Sequence, residues 1–342
     1  MDHFIMLPMT ENGFVKDSER MRTALKDAMI DPFQFTDLFI YSHGWWTTAN
    51  ASMVQYSQYT VEFVKQLATQ STLPHRPKSS FGIGVHWPST FSEDYNGGIV
   101  GSLVQGSSYY EMGMRAFQVG MTGVYATIRL LLSTRFHNHD ANKPIRLTIL
   151  GHSFGCRVVC SALETLWREA NQPDKENFKE FLNRISINLV LMQGAVKTTD
   201  FVEGGRFAEL PKIRGLRFLL TRSDKDIACG KWFPRAETLN NFAHFNLKDV
   251  HAEAIGTVGP PDGMVAKLGG KLSIDVGADF KGSFLTERLT PDIRLVDADL
   301  TKLHEFDNDN DRYTPDDFGG NHSDISQPEI FELISAFAFH LP

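Results

Sequence analysis

The feature that most constrains this chain is the pentapeptide Gly151-His152-Ser153-Phe154-Gly155, set between an apolar run at 145–150 and an amphipathic segment at 154–167. Small residues two places either side of a serine are what a sharp strand-to-helix turn requires, because larger ones would strike the adjoining strand and helix. Such a turn lifts the hydroxyl clear of the sheet. It also sets the serine at a helix N-terminus, where unpaired backbone N–H groups stabilise developing negative charge. Ser153 is therefore the candidate nucleophile, with Gly151 and Gly155 shaping its loop.

Around this turn the pattern alternates. Short continuous apolar runs at 37–41, 81–87, 145–150, 187–192, 216–220 and 293–296 read as strands, the form expected of parallel strands buried on both faces. Between them lie helical patterns at 17–29, 53–68, 110–132 and 154–167, with a last helix opening at Pro328, a residue suited to a first helical turn. Alternation of this kind predicts one α/β domain over 1–342, a mostly parallel sheet with helices on both faces. Residues 96–108 are rich in Gly and Ser. The stretch 239–292, rich in Gly and Pro, breaks the rhythm and is expected to run over the sheet as a candidate cap.

Composition mainly excludes. A formal charge of −7 disfavours nucleic acid and anionic membrane as partners. The first residues, MDHFIMLPMTENGF, lack a basic region and carry Pro8 within their apolar run, unlike a secretory signal. No segment reaches membrane-span length. Cys156, Cys160 and Cys229 are odd in number and suit neither a disulfide framework nor a zinc knuckle, which fits reduced packing residues and a cytoplasmic home. The acidic run 307–311 resembles the start of a calcium loop, but Arg312 stands where glycine is needed and Phe318 where glutamate is, so it reads as a solvated loop and no metal or cofactor is expected.

Three further elements join Ser153. After the strand at 37–41 come His43, Gly44 and Trp45, a loop whose Trp45 N–H, with that of Phe154, can face a developing oxyanion. His43 and Gly44 shape that loop. After 216–220 lie Asp224 and Asp226, and spacing does not choose between them as the acid. Near the C-terminus, His304, His322 and His340 compete as general base. His322 is favoured, because its loop, GGNHSDIS, follows the last strand and precedes the final helix. Trp46 and His152 are candidates for a substrate pocket.

The segments SHGW (42–45), HWPS (86–89), YYEMGMRAFQVG (109–120), GHSFG (151–155), SDKDIACGKWFP (223–234) and HSDI (322–325) resemble a bacterial branch of α/β-hydrolases with lipase-like and esterase-like relatives. The resemblance implies the α/β-hydrolase fold and a Ser–Asp–His triad. It also favours Asp226, since its acid pattern falls on Ser223, Asp226, Ala228, Gly230 and Phe233-Pro234. The implied activity is hydrolysis of a small-molecule acyl ester through an acyl-enzyme. Acyl transfer, thioester or amide cleavage by the same residues is the alternative among enzymes, and a catalytically silent binding module the alternative outside them.

Overall fold

In a computed structural model of the chain, the described residues are 3–28, 35–69, 73, 75, 79–90, 99–137, 145–243, 252–305, 322 and 325–340. The strands are β1 (His3–Pro8), β2 (Asp37–Ser42), β3 (Ser80–His86), β4 (Arg146–His152), β5 (Ser186–Met192), β6 (Leu216–Arg222), β7 (Leu272–Asp275) and β8 (Leu295–Asp299). They form one eight-stranded sheet in the order β1-β3-β2-β4-β5-β6-β8-β7. Every neighbouring pair is parallel. The helices are α1 (Ser18–Ala28), α2 (Ala49–Thr69), α3 (Ile99–Val119), α4 (Tyr125–His137), α5 (Gly155–Ala170), α6 (Glu176–Arg184), α7 (Phe233–Ala243), α8 (Ile255–Val258), α9 (Asp262–Lys267), α10 (Gly282–Thr286), α11 (Thr301–Glu305) and α12 (Pro328–His340).

The continuous apolar runs follow from this layering. Successive strand side chains point to opposite faces, so a strand covered on both sides must be apolar at every position. Leu38 and Ile40 enter one core with Leu147, Ile149, Leu189, Leu191 and Phe218, packed by α5. Phe39 and Tyr41 enter the other with Leu150, Val190, Met192 and Leu219, packed by α12. Helix α12 is buried from Ile330 to Phe339 except for Glu332. Among the described residues no helix is long and apolar enough to cross a membrane.

The structure departs from the sequence expectations at several places. Strands β1 and β7 were not foreseen. Helix α3 begins at Ile99, inside the Gly- and Ser-rich stretch, and passes through a π-helical turn at Gly120–Val124 into α4. Residues 239–292, expected to run over the sheet, instead supply α8, α9, α10 and the edge strand β7 in their described part, while 244–251 lie outside the described residues.

Two connections position the site. The chain leaves β2 for β3 on one side and leaves β4 for β5 on the other, although β2 and β4 are neighbours. In open parallel sheets such a reversal opens a crevice beyond the carboxyl ends of the two strands, where ligands bind. The loop after β2 carries His43–Trp45, and the turn after β4 carries Ser153.

The opposite end of the same strands is closed by a buried ion pair. Arg146 Nε and Nη2 both lie 2.7 Å from Asp37 Oδ1, Nη2 also donates to the His75 carbonyl at 2.7 Å, and the guanidinium rests 4.7 Å above the Phe339 ring. Removing one partner of a buried pair strands the other charge, at a cost of about 3–5 kcal/mol, whereas replacing both is far milder. Asp37→Ala should lower the urea-unfolding free energy by about that amount, and adding Arg146→Met should restore much of it. Equal losses in the single and double variants would refute a coupled pair.

Candidate active site

Ser153 sits between β4 and α5 with φ of +53°, a left-handed conformation that a non-glycine residue holds only when its surroundings impose it. Those surroundings are identifiable. The Ser153 N–H donates to the Met192 carbonyl on β5 at 3.1 Å, and the Ser153 carbonyl accepts from Ala195 N–H (3.2 Å) and Cys156 N–H (3.1 Å). Both flanking glycines are sterically required. A Cβ on Gly155 would lie 2.1 Å from the Ser42 carbonyl oxygen, and one on Gly151 would lie 2.7 Å from the Cys156 backbone.

The loop after β2 is pinned by residues that follow β3. Trp87 N–H donates to His43 Nε2 at 3.2 Å, so the His43 proton sits on Nδ1 and goes to the Gly44 carbonyl at 2.8 Å. Trp87 Nε1 donates to the His43 carbonyl at 3.0 Å, and the two rings stack 5.4 Å apart. Burial pushes the His43 pKa down to about 3. Its place is thus to shape the loop as a neutral ring. Ser89 holds the next turn: its carbonyl accepts from Trp46 N–H at 3.2 Å, and its hydroxyl exchanges hydrogen bonds of 3.0 Å with both backbone groups of Thr47.

These contacts leave two donors. Among the described residues, neither the Trp45 N–H nor the Phe154 N–H has a hydrogen-bond partner. Their rings stack 5.8 Å apart, and Gly44 lets the loop come in, since a Cβ there would lie 2.9 Å from Ser153 Cβ. Trp46 stacks on Trp45 and is 43% exposed, on the outer side of the loop.

Of the two acids, Asp226 is buried and Asp224 exposed. Asp226 Oδ2 accepts from His322 Nδ1 at 2.8 Å, and Oδ1 accepts from Cys229 N–H at 2.8 Å. Asp224 is turned to solvent, its backbone N–H on the Thr301 hydroxyl at 3.0 Å. Of the three histidines, His322 alone meets an acid of this loop among the described residues. His340 ends α12 next to Phe339, under Arg146 at the start of β4. Ser153 follows the seven-residue strand that Arg146 opens, about 23 Å away at the usual rise. His304 falls in α11, and its side chain and the acidic run 307–311 lie outside the described residues.

His152, a candidate pocket residue from the sequence, is buried, its Nε2–H donating to the His322 carbonyl at 2.8 Å and its ring 4.9 Å from that of His322. Burial, and secondarily the nearness of His322, pushes its pKa down to about 3. It is a neutral bracket that ties the segment bearing His322 to the residue before Ser153.

Sequence reasoning missed a buried ionic cluster behind Phe154. Arg157 Nη2 lies 2.6 Å from Glu237 Oε1, its Nε donates to the Ala195 carbonyl at 2.8 Å, and its guanidinium sits 4.5 Å over the Phe154 ring. Glu237 also meets Lys197 at 3.0 Å and the Tyr109 hydroxyl at 3.0 Å. Arg157 and Lys197 hold the Glu237 pKa below the usual range against the effect of burial. An arginine within the apolar stripe of α5 was the available signal.

His43 generates a pH test. Its pKa falls from 6.5 in the unfolded chain to about 3 in the fold, so between these values protons bind the unfolded state preferentially. Its contribution is complete above pH 6.5 and declines as pH falls, by up to about 1.4 kcal/mol per pH unit. The drop in urea midpoint from pH 7 to pH 5 should be smaller in His43→Asn than in the wild type, His86 and His152 being common to both. An unchanged drop would show that His43 is not held neutral. No family model matches the chain, nor does any curated protein or solved structure, and the functional argument therefore rests on this geometry.

Proposed function

We propose that the chain is a serine hydrolase of the α/β-hydrolase type that cleaves carboxylic esters through an acyl-enzyme. The observation that carries this reading is the strained Ser153 turn at the reversal point of the sheet, bracketed through His152 to the hydrogen-bonded His322–Asp226 pair. Three strand ends supply the groups: Ser153 follows β4, Asp226 follows β6 and His322 comes after β8. That chain order, Ser then Asp then His, is the order of the α/β-hydrolase triad.

Each residue has a role that its bonding supports. Asp226 accepts the Nδ1–H of His322, which leaves Nε2 with a free lone pair, the tautomer a general base needs. His322 takes the Ser153 hydroxyl proton as the oxygen attacks the acyl carbonyl. The Trp45 and Phe154 N–H groups receive the negative charge that develops on the carbonyl oxygen, each such donor being worth about 3 kcal/mol in the transition state. His322 then protonates the leaving alkoxide, and a water activated by the same ring releases the acid. The Cys229 N–H keeps the Asp226 carboxylate in one rotamer. The exposed Trp46 is placed to meet substrate at the rim.

Labelling by a fluorophosphonate probe tests this directly. Wild-type protein should label on Ser153, and Ser153→Ala should not label at all. His322→Ala and Asp226→Ala should label roughly 10²- to 10⁴-fold more slowly, whereas Asp224→Ala should label as the wild type does. Turnover of matched short-chain ester, thioester and amide substrates then assigns the leaving group, the ester being expected fastest. Folded wild-type protein that neither labels nor turns over any of the three would favour a binding module.

A further inference from the structure

The Asp226–His322 pair has a third neighbour that the proposed reaction does not use. The Cys229 thiol donates to the Gln193 carbonyl at 3.3 Å and lies 3.8 Å from His322 Nδ1. The carboxylate oxygen of Asp226, the Sγ of Cys229 and a ring nitrogen of His322 all lie within 4.8 Å of one another. We infer that Asp226, Cys229 and His322 form an inhibitory zinc site, in which one Zn²⁺ switches off the hydrolase; the inhibition, though not the binding, rests on the function proposed above.

The donor set and its spacing both select zinc. Zn²⁺ binds thiolate at about 2.3 Å and imidazole or carboxylate at about 2.0–2.2 Å, so tetrahedral donors stand about 3.4–3.6 Å apart. The distances of 2.8 Å between His322 and Asp226 and 3.8 Å between His322 and Cys229 bracket that spacing, and all three donors lie within 4.8 Å of one another. One sulfur, one nitrogen and one oxygen suit zinc, whereas magnesium and calcium demand oxygen shells. Thiolate and carboxylate together neutralise the dication, which a buried site requires. His322 keeps 11% of its side chain exposed and offers the approach.

Inhibition follows from proton bookkeeping on one ring. At rest His322 carries its proton on Nδ1 and donates it to Asp226. When zinc takes the Nδ1 lone pair, the neutral ring must carry that proton on Nε2 instead, the atom that has to accept from Ser153. The Cys229 thiol gives up its own proton to water. The balance is one Zn²⁺ bound, one S–H bond replaced by Zn–S and one proton released, with no change of oxidation state.

The experiment uses the full chain and reads binding apart from catalysis. Ser153→Ala, which keeps all three donors, should bind one Zn²⁺ per chain in equilibrium dialysis, and Co²⁺ should produce a near-ultraviolet thiolate-to-cobalt charge-transfer band. Adding Cys229→Ser should abolish the band and weaken zinc binding at least about 10- to 100-fold, since loss of a mere outer-shell partner already costs that much. In chains with an intact Ser153, zinc should suppress fluorophosphonate labelling and Mg²⁺ should not. The suppression, taken as the ratio of labelling with and without zinc, should vanish in both Cys229→Ser and Cys229→Ala. Absence of zinc binding by Ser153→Ala, equal binding after Cys229→Ser, or suppression by Mg²⁺ would overturn the site. A wild type that never labels, with zinc binding intact, would overturn the hydrolase reading and the inhibition with it.

Discussion

The candidate site depends on how closely β2 and β4 run beside each other. Ser42 pairs with Gly151 across the two strands, so the loop after one strand and the turn after the other emerge at the same level. The turn that enters α5 then passes directly over the end of β2, with no room for a side chain on Gly155 beneath the Ser42 and His43 carbonyls. Gly44 meets Ser153 from the other side in the same way. Both approaches exclude a Cβ, and the backbone N–H groups of Trp45 and Phe154, which flank them, have no hydrogen-bond partner among the described residues. The winding direction of the parallel sheet reverses at this point, the place where such sheets commonly bind ligands, and the glycines let the two loops close in on each other.

Burial then holds two of the rings around the site neutral. His43 and His152 are buried neutral rings whose tautomers are dictated by partners that can act in only one way, a backbone N–H that must donate or a carbonyl that must accept. Asp226 has both oxygens occupied, by Cys229 N–H and His322 Nδ1. In a low-dielectric interior such bonds strengthen one another, and a mispaired group is costly. The Arg157–Glu237 pair behind Phe154 is part of the same arrangement, since the guanidinium lies against the ring of the residue proposed as an oxyanion donor. An arrangement built this way is organised in advance, as the proposed stabilisation of an oxyanion requires.

The parts of the fold legible in the sequence are those where burial on both faces leaves a continuous apolar run. The runs at 37–41, 145–150, 187–192 and 216–220 became β2, β4, β5 and β6 with shifts of one or two residues at their ends. The elements missed have the opposite character. Strand β7 is four residues long and alternates buried with exposed positions at the sheet edge, too short a signal beside its glycines. Strand β1 lies at the other edge, with Pro8 at its end, where a missing N–H is tolerated. The start of α3 was obscured by glycine and serine, which have little helix propensity of their own; once a strongly apolar helix is nucleated further on, each added residue gains a hydrogen bond and the helix extends through them.

By itself the sequence determined the alternation of strands and helices, the small-serine-small turn at Ser153 and the short set of acids and histidines able to serve it, because these depend on neighbours within a few residues. Only the tertiary structure decided which of them meet. Asp226 and His322 are far apart in the chain yet share a hydrogen bond, while Asp224, two residues from Asp226, faces solvent. His152 is tied to His322 by a hydrogen bond that its place in the chain does not announce, and Cys229, expected as a packing residue, is the third neighbour of the pair. The physical reason is common to all of these. A hydrogen bond of 2.8 Å is a statement about where two strand ends lie in space, and the packing of the sheet against α5 and α12 fixes that position to within ångströms, which residue spacing along the chain does not encode.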